Sequence, residues 1–168
     1  MPVLKPVKGH FFVKWLSAKF YDAASQLECY SCEWFFTEGR IRRLMERRRC
    51  DGLVLTDIKK PVAYVLFRRH LHGGQKMVHL INLVVHPDYR RQGLGTILVS
   101  QAKARMRHHG FSKMIASVRE SNIAMHLFLQ KNGFVATNVL KDFYVDEYPD
   151  CVERETAYGF LYRERNDE

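Results

Sequence analysis

The chain has 168 residues, 46% of them hydrophobic and 27% charged, and its 27 lysines and arginines against 18 aspartates and glutamates leave a net charge of +9. A chain of this length buries roughly 70% of its unfolded surface in one core, and the composition excludes a disordered or collagen-like chain. No apolar run approaches the ~18 residues of a membrane-spanning helix. The opening MPVLKPVKGHFFVKWL lacks the long apolar stretch and small-residue cleavage site of a secretory signal. A soluble, cytoplasmic protein without a membrane partner is expected, folded as one domain over residues 1–168.

In chain order, residues 10–16 read as a first strand. Residues 22–32 have helical apolar spacing through Ala23, Leu27 and Tyr30, with Asp22 as a candidate cap. Thr37 can cap a second helix running to about residue 49, with Ile41, Leu44 and Met45 inward. Residues 53–56 and 62–68 are β-rich runs joined by the turn residues 57–61, and LHGGQK at 71–76 makes another turn before an apolar strand at 78–85. A long helix is predicted over 94–109, closed by Gly110, with Leu94, Ile97, Leu98, Gln101, Ala102 and Met106 inward. A strand at 113–118, a helix at 121–131 stopped by Asn132-Gly133, and strands at 134–144 and 155–162 complete the order. Strands and helices that do not strictly alternate argue against a doubly wound dinucleotide fold.

The four cysteines are Cys29, Cys32, Cys50 and Cys151. Cys29 and Cys32 form a CxxC, but no second pair follows at matching spacing, so no metal is expected. Arg40, Arg42, Arg43, Arg47, Arg48 and Arg49 crowd one predicted helix. A solvated helix face is the preferred reading. A nucleic-acid or acidic-partner patch is the alternative, and nucleic acid is not expected as a partner because no zinc finger, helix-turn-helix or RNP-type motif accompanies the run.

The most informative stretch runs Val84-Val85-His86-Pro87-Asp88-Tyr89-Arg90-Arg91-Gln92-Gly93-Leu94-Gly95-Thr96. A strand ends, a basic turn follows, and two glycines open a helix. Free backbone N–H groups and the positive end of the helix dipole suit a phosphate there. Gly93 and Gly95 allow close backbone approach, Arg90 and Arg91 add charge, and Thr96 offers a hydroxyl. The Rossmann fingerprint needs a third glycine where Leu98 stands and an acidic residue near Ile115, and the Gly-Lys-Ser/Thr of a P-loop is absent.

Arg90-Arg91-Gln92-Gly93-Leu94-Gly95 matches the Arg/Gln-x-x-Gly-x-Gly/Ala motif, and Asn122 through Gly133-Phe134 matches a second segment of the same family. On these residues the chain resembles the GNAT superfamily of N-acetyltransferases. NLVVHPDYRRQGLG, residues 82–95, looks most like its ribosomal-protein alanine N-acetyltransferase branch. The resemblance implies an α/β (α+β) fold, a mixed, mostly antiparallel sheet of about seven strands flanked by about four helices. It implies acetyl-CoA as cosubstrate and a primary amine, on a peptide terminus or a small molecule, as acceptor. Leu83, Val84 and Val85 would present strand-edge backbone to the pantetheine arm. Arg90, Arg91, Gln92, Gly93, Leu94, Gly95 and Thr96 would hold the pyrophosphate, and Asn122 would lie near the thioester.

Two positions depart from the family pattern. Ser117 stands where the branch places a glutamate base, and Leu129, next to Phe128, stands where a tyrosine protonates the leaving thiolate. A lost general acid or base costs typically 10²–10⁴-fold. An α-amine with a pKa of ~8 is about one-tenth neutral at pH 7, against roughly 0.04% for lysine, so an N-terminal amine needs less help. His79, on the cofactor strand, and Tyr144, on the last hairpin, are the candidate catalytic substitutes, and Asn82 could bind substrate or a water. The acceptor groove is expected between residues 33–38 and the hairpin carrying Tyr144. An acyl-CoA-binding module that has lost transfer chemistry is the alternative that Ser117 and Leu129 favour.

Overall fold

Residues 6–7, 10–31, 36–47, 49–58, 60–72, 74–147 and 152–164 are described by the structure, a computed structural model. Cys32, Glu33, Trp34, Phe35, Arg48 and Cys151 lie outside the described residues. The two-residue strand β1 (Pro6–Val7) and β2 (Phe11–Trp15) are followed by α1 (Tyr21–Leu27) and α2 (Glu38–Met45). Then come β3 (Cys50–Asp57), β4 (Lys60–His72), β5 (Gln75–Val85), α3 (Leu94–His108), β6 (Lys113–Arg119), α4 (Ile123–Lys131), β7 (Val135–Glu147) and β8 (Val152–Arg163). They form one eight-stranded sheet in the order β1-β2-β3-β4-β5-β6-β8-β7. Among the described residues only β5 and β6 pair in parallel. This is the mixed sheet with four helices that the resemblance implies, with β1 as an added edge strand.

Several boundaries differ from those predicted. α1 stops at Leu27 and tightens into a 3₁₀ turn, Glu28–Tyr30, instead of continuing to residue 32. Thr37 does cap α2, accepting from the Arg40 N–H at 3.3 Å, but the helix ends at Met45. Beyond it Arg49 is drawn to the sheet, where the Arg69 N–H donates to the Arg49 carbonyl at 2.8 Å, an ordinary ladder-bond length. β4 and β5 run on as a hairpin through polar residues, His70 opposite Met77 and His72 opposite Gln75, because cross-strand pairing outlasts the apolar run.

The sheet is covered on both faces. One face packs on α3 and α4 through Val65, Phe67, Leu98, Met106 and Met114, and the other packs on α1 and α2 through Leu16, Ile41, Tyr64 and Leu66. Within α3 Val99 is buried and Gln101 is only half-buried, so the inward stripe is shifted from the predicted one. Among the described residues no helix is long and apolar enough to cross a membrane.

Candidate functional site

β5 and β6 start as neighbours and part. Their ladder holds only Val78 opposite Met114 and His79 opposite Ile115. β4 stays paired with β5 as far as Val85, and β8 stays paired with β6 as far as Arg119. The facing edges beyond His79 and Ile115 therefore form a wedge with no strand between them. Backbone N–H and C=O groups demand partners, and an extended ligand carrying amides can supply them in the manner of an added strand. Leu83, Val84 and Val85 lie on this arm. Leu83 and Val85 turn their side chains to the α3 face and Val84 to the α1 face, which leaves the backbone as the group at the edge.

A 3₁₀ turn, Pro87–Tyr89, carries the chain from β5 into the glycine-rich loop. Arg91 (φ 61°) and Gly93 (φ 82°) are both left-handed. That backbone bends the loop sharply over the start of α3, where the Leu94, Gly95 and Thr96 N–H groups have no acceptor within the helix. Arg91, Gln92, Gly93 and Thr96 are exposed, whereas the Leu94 side chain is buried. Helix-start amides without helical acceptors at the dipole's positive end, flanked by the exposed residues Arg91, Gln92, Gly93 and Thr96, fit a diphosphate.

Two loop residues do something other than the sequence suggests. Arg90 donates from Nε to the Val85 carbonyl at 3.0 Å and from Nη2 to the Tyr30 carbonyl at 2.8 Å. These donors tie the 3₁₀ turn after α1 to the end of β5 instead of lying free for phosphate. A Cβ on Gly95 would meet the Phe128 ring at 3.2 Å, a tight contact, so the missing side chain also lets α4 pack closely on α3.

Halfway along the β5 arm a bulge disturbs the register between Leu66 and Phe67 of β4, which face Asn82 and Leu80. Asn82 thereby joins a buried cluster that sequence reasoning missed. Its Nδ2 donates to Glu28 Oε1 at 2.8 Å and to the Tyr64 hydroxyl at 2.9 Å. Tyr64 donates to the same Glu28 oxygen. Glu28 Oε2 accepts from the Ser31 hydroxyl at 3.0 Å and from the Phe36 N–H at 3.4 Å. Glu28 is 1% exposed. Burial raises its carboxyl above the usual range, against the lowering effect of the Tyr64, Phe36, Ser31 and Asn82 hydrogen bonds. Burial, and next the Glu28 charge, push the Tyr64 hydroxyl upward as well, so it stays a donor. The one signal in the sequence was spacing, since Glu28 falls four residues after Ala24 and seven after Tyr21 on the inward face of α1.

The other expected residues are spread around the wedge. His79 sits at the vertex, in the last paired position, facing Arg68 across the β4 ladder and His70 at 6.2 Å between ring centroids. Burial first, then His70 and Arg68, depress its pKa to about 4, a poor proton acceptor at neutral pH. Ser117 lies on the β6 arm, and its carbonyl accepts from the Tyr144 hydroxyl at 3.0 Å. The Arg119 guanidinium covers the Tyr144 ring at 4.3 Å and bonds Asp146 at 2.9 Å and Glu155 at 2.8 Å. Burial alone would lift the Glu155 carboxyl, but hydrogen bonds from Ser121 and Arg119 hold it below the ordinary range. Asn122 caps α4, its Oδ1 accepting from the Met125 N–H at 3.1 Å, so only its amide NH2 remains for a ligand. Leu129 is wholly buried in the core and supplies nothing to the wedge. Among the described residues no group of three or more His, Cys, Asp or Glu side chains could hold a metal ion.

Residues 11–134 match the acetyltransferase (GNAT) family. The chain belongs to that family. A curated relative, the [ribosomal protein bS18]-alanine N-acetyltransferase of Escherichia coli (strain K12), is 32% identical over 65 residues, 39% of this chain and 44% of the relative. The match thus spans less than half the length of that protein. The crystal structure of the ribosomal-protein-S18-alanine N-acetyltransferase from Escherichia coli superposes with a TM-score of 0.77 at 23% identity, over 94% of this chain and 97% of the other. Ard1 from Thermoplasma volcanium gives 0.78 at 19% identity, over 94% and 100%. Arabidopsis thaliana NAA60 in complex with acetyl-CoA gives 0.80 at 12%, over 91% and 98%. At these identities the three structures establish the GNAT fold.

Proposed function

We propose that this GNAT chain is an acetyl-CoA-dependent N-acetyltransferase that acetylates the α-amine of a peptide by direct transfer. The observation that carries this reading is the single wedge, with a phosphate-fitting loop at the end of its β5 arm and a buried carboxylate, Glu28, tied to the middle of that arm through Asn82. The relative that acts on an alanine of ribosomal protein bS18 supports a peptide acceptor, and the NAA60 structure with acetyl-CoA supports the cosubstrate.

Acetyl-CoA supplies the acyl group as a thioester. The amides of Gly93, Leu94, Gly95 and Thr96, with the Arg91 charge, hold its diphosphate, and the unpaired edge at Leu83, Val84 and Val85 holds the pantetheine amides. Tyr144 and Asn122 border the acceptor side of the wedge. The amine nitrogen bonds to the thioester carbon, the C–S bond breaks, and its electron pair leaves on sulfur. Glu28 takes the amine proton through a water at Asn82, since its own carboxylate is enclosed; the thiolate is protonated from solvent. Glu28, not His79, has this part, because Asn82 ties it to the open middle of the β5 arm whereas His79 sits in the last paired position at the vertex; burial also raises the Glu28 carboxyl and lowers the His79 imidazole.

The alternative of a module without transfer chemistry rested on Ser117 and Leu129. On the reading proposed here Glu28, in the 3₁₀ turn after α1, answers for the missing glutamate at Ser117, and solvent answers for the missing tyrosine at Leu129. The test incubates the protein with acetyl-CoA and peptides carrying free or blocked N-termini, and follows thiol release and the site of acetylation. Turnover confined to free α-amines is expected. Turnover on lysine side chains alone, or none on any free N-terminus, would overturn the assignment.

A further inference from the structure

The densest positive charge lies at the end of β5 remote from the phosphate-fitting loop. Residues 40–49 hold six arginines and one glutamate, so ten residues carry more than half of the chain's net charge. Arg40, Arg43 and Arg47, spaced i, i+3 and i+7, line with Leu44 an open hollow of about 440 Å³. Arg47 is shared with a second hollow of about 390 Å³, whose other walls are Arg49, Arg68, Arg69 and His70. Arg68, Arg69 and His70 come from β4, some twenty residues further along the chain. A solvated helix face would not explain cations of two separate elements converging on one concave track.

Acidic groups do not balance this track. Glu38 is engaged by Arg42 at 2.5 Å, and Asp51 lies 3.5 Å from the Arg69 Nε. Arg43, Arg47, Arg49 and Arg68 have no acidic partner among the described residues. The depressed His79 and His109 imidazoles show the same field. Burial is the first cause for both, followed by His70 and Arg68 for one and by Arg105 and Arg69 for the other. Bringing like charges together is unfavourable unless a polyanion neutralises them.

The lining also selects among polyanions. Every basic residue along it except His70 is an arginine, whose planar guanidinium fork matches phosphate oxygens two at a time. Among the described residues Leu44 is the single apolar one lining the two hollows, so a peptide would find there no anchor pocket of the kind helices and strands need on docking. A phosphodiester backbone needs none.

We propose that the track of Arg40, Arg43, Arg47, Arg49, Arg68 and Arg69 binds the phosphate backbone of a nucleic acid, by charge and without reading bases. This site is separate from the wedge and does not depend on acetyl transfer. The absence of a recognised nucleic-acid motif fits it, because sequence-independent binding comes from phosphate contacts alone.

The test uses the full chain and a labelled, mixed-sequence single-stranded RNA, with fluorescence anisotropy read between about 50 and 200 mM salt. Four neutralised phosphates give a log–log salt slope of about −3, a loss of roughly fifty-fold in affinity over that range. Arg43→Glu with Arg47→Glu, both exposed, should weaken binding at least ~10-fold and flatten the slope by about 1.4, leaving acetyl-CoA affinity and thermal stability unchanged. Lys131→Glu with Lys141→Glu makes the same charge change elsewhere on the surface and should leave RNA affinity nearly unaltered. No binding at the lowest salt would overturn the proposal. So would equal losses in the two double variants, or equally tight binding of a polyglutamate peptide to the same arginines.

Discussion

Glu28→Gln removes the charge at the centre of the buried cluster and keeps its shape. Both carboxylate oxygens act only as acceptors, Oε1 from Tyr64 and Asn82 and Oε2 from Ser31 and Phe36. The new NH2 must replace one of them. At Oε1 it would face two committed donors. At Oε2 it meets a serine hydroxyl that can turn to accept and an N–H contact already 3.4 Å long, so this orientation is the cheaper. The expected stability loss is about 1–3 kcal/mol, a fall in Tm of roughly 2–4 °C per kcal/mol for a chain of this size. Because burial raises the Glu28 carboxyl, the folded protein holds that proton more tightly than the unfolded chain. The associated stabilisation is complete below the unfolded pKa and is lost as pH rises through the folded one. The Tm gap between wild type and variant should therefore be widest in acid.

The catalytic loss is larger and separable from stability. Losing a general base costs ~10²–10⁴-fold, or about 3–5 kcal/mol on the barrier. Initial rates of thiol release, taken across the pH range in which both proteins remain folded, report it. Wild-type log kcat/KM should rise with a slope of two while both Glu28 and the peptide amine are losing protons. The slope falls to one above the Glu28 pKa and to zero above the amine's ~8. The Gln variant should show slope one throughout its acid limb. A variant within about threefold of wild type, with the two-step limb intact, would refute Glu28 as the proton acceptor.

Gly93→Val places a β-branched residue at φ 82° and should weaken acetyl-CoA binding at least ~10-fold by calorimetry, with only about 1–2 kcal/mol of strain because the site is exposed; unchanged affinity would remove Gly93 from the cradle. His79→Gln should leave kcat/KM and its pH slope unaltered. Its depressed pKa means that wild type loses stability as pH falls from about 6.5 toward 4, and the Gln variant, followed by thermal melts, should lose less. Arg119→Ala leaves Asp146 and Glu155 without their shared cation and uncovers Tyr144. Because both acids are partly exposed, a loss of about 1–3 kcal/mol is expected, with KM for peptide raised and KM for acetyl-CoA unchanged; the reverse split would detach Tyr144 from the acceptor.

Local signals were readable wherever one contiguous stretch decides the structure. Asn122 caps α4 and Gly133 ends it at φ 78°, and Gly110 closes α3 at φ 71°. Strand order was not readable, because β8 inserts between β6 and β7 through pairing between distant segments. The length of the β4–β5 hairpin was hidden for a related reason: His70 and His72 look like turn residues until the partner strand supplies their ladder. At Gly95 a further cause was hidden from the sequence, since its missing side chain makes room for Phe128, which comes thirty-three positions later.

The same division explains which half of the site could be read. A phosphate cradle is made of consecutive backbone amides at one helix start, so its residues must be adjacent in sequence and its motif survives intact from Arg90 to Gly95. A proton acceptor has no such constraint. It needs only to reach the amine, directly or through a water, from any element that borders the wedge. Ser117 borders it on the β6 arm. Glu28 stands behind the β5 arm, joined to Tyr64 thirty-six residues away and to Asn82 fifty-four away, a convergence that only the bulge in β5 and the 3₁₀ ending of α1 bring about. A missing glutamate at position 117 is therefore no sign of missing chemistry. It shows only that β6 supplies no carboxylate there, and on the proposed reading Glu28, in the buried cluster behind the opposite arm, takes that part.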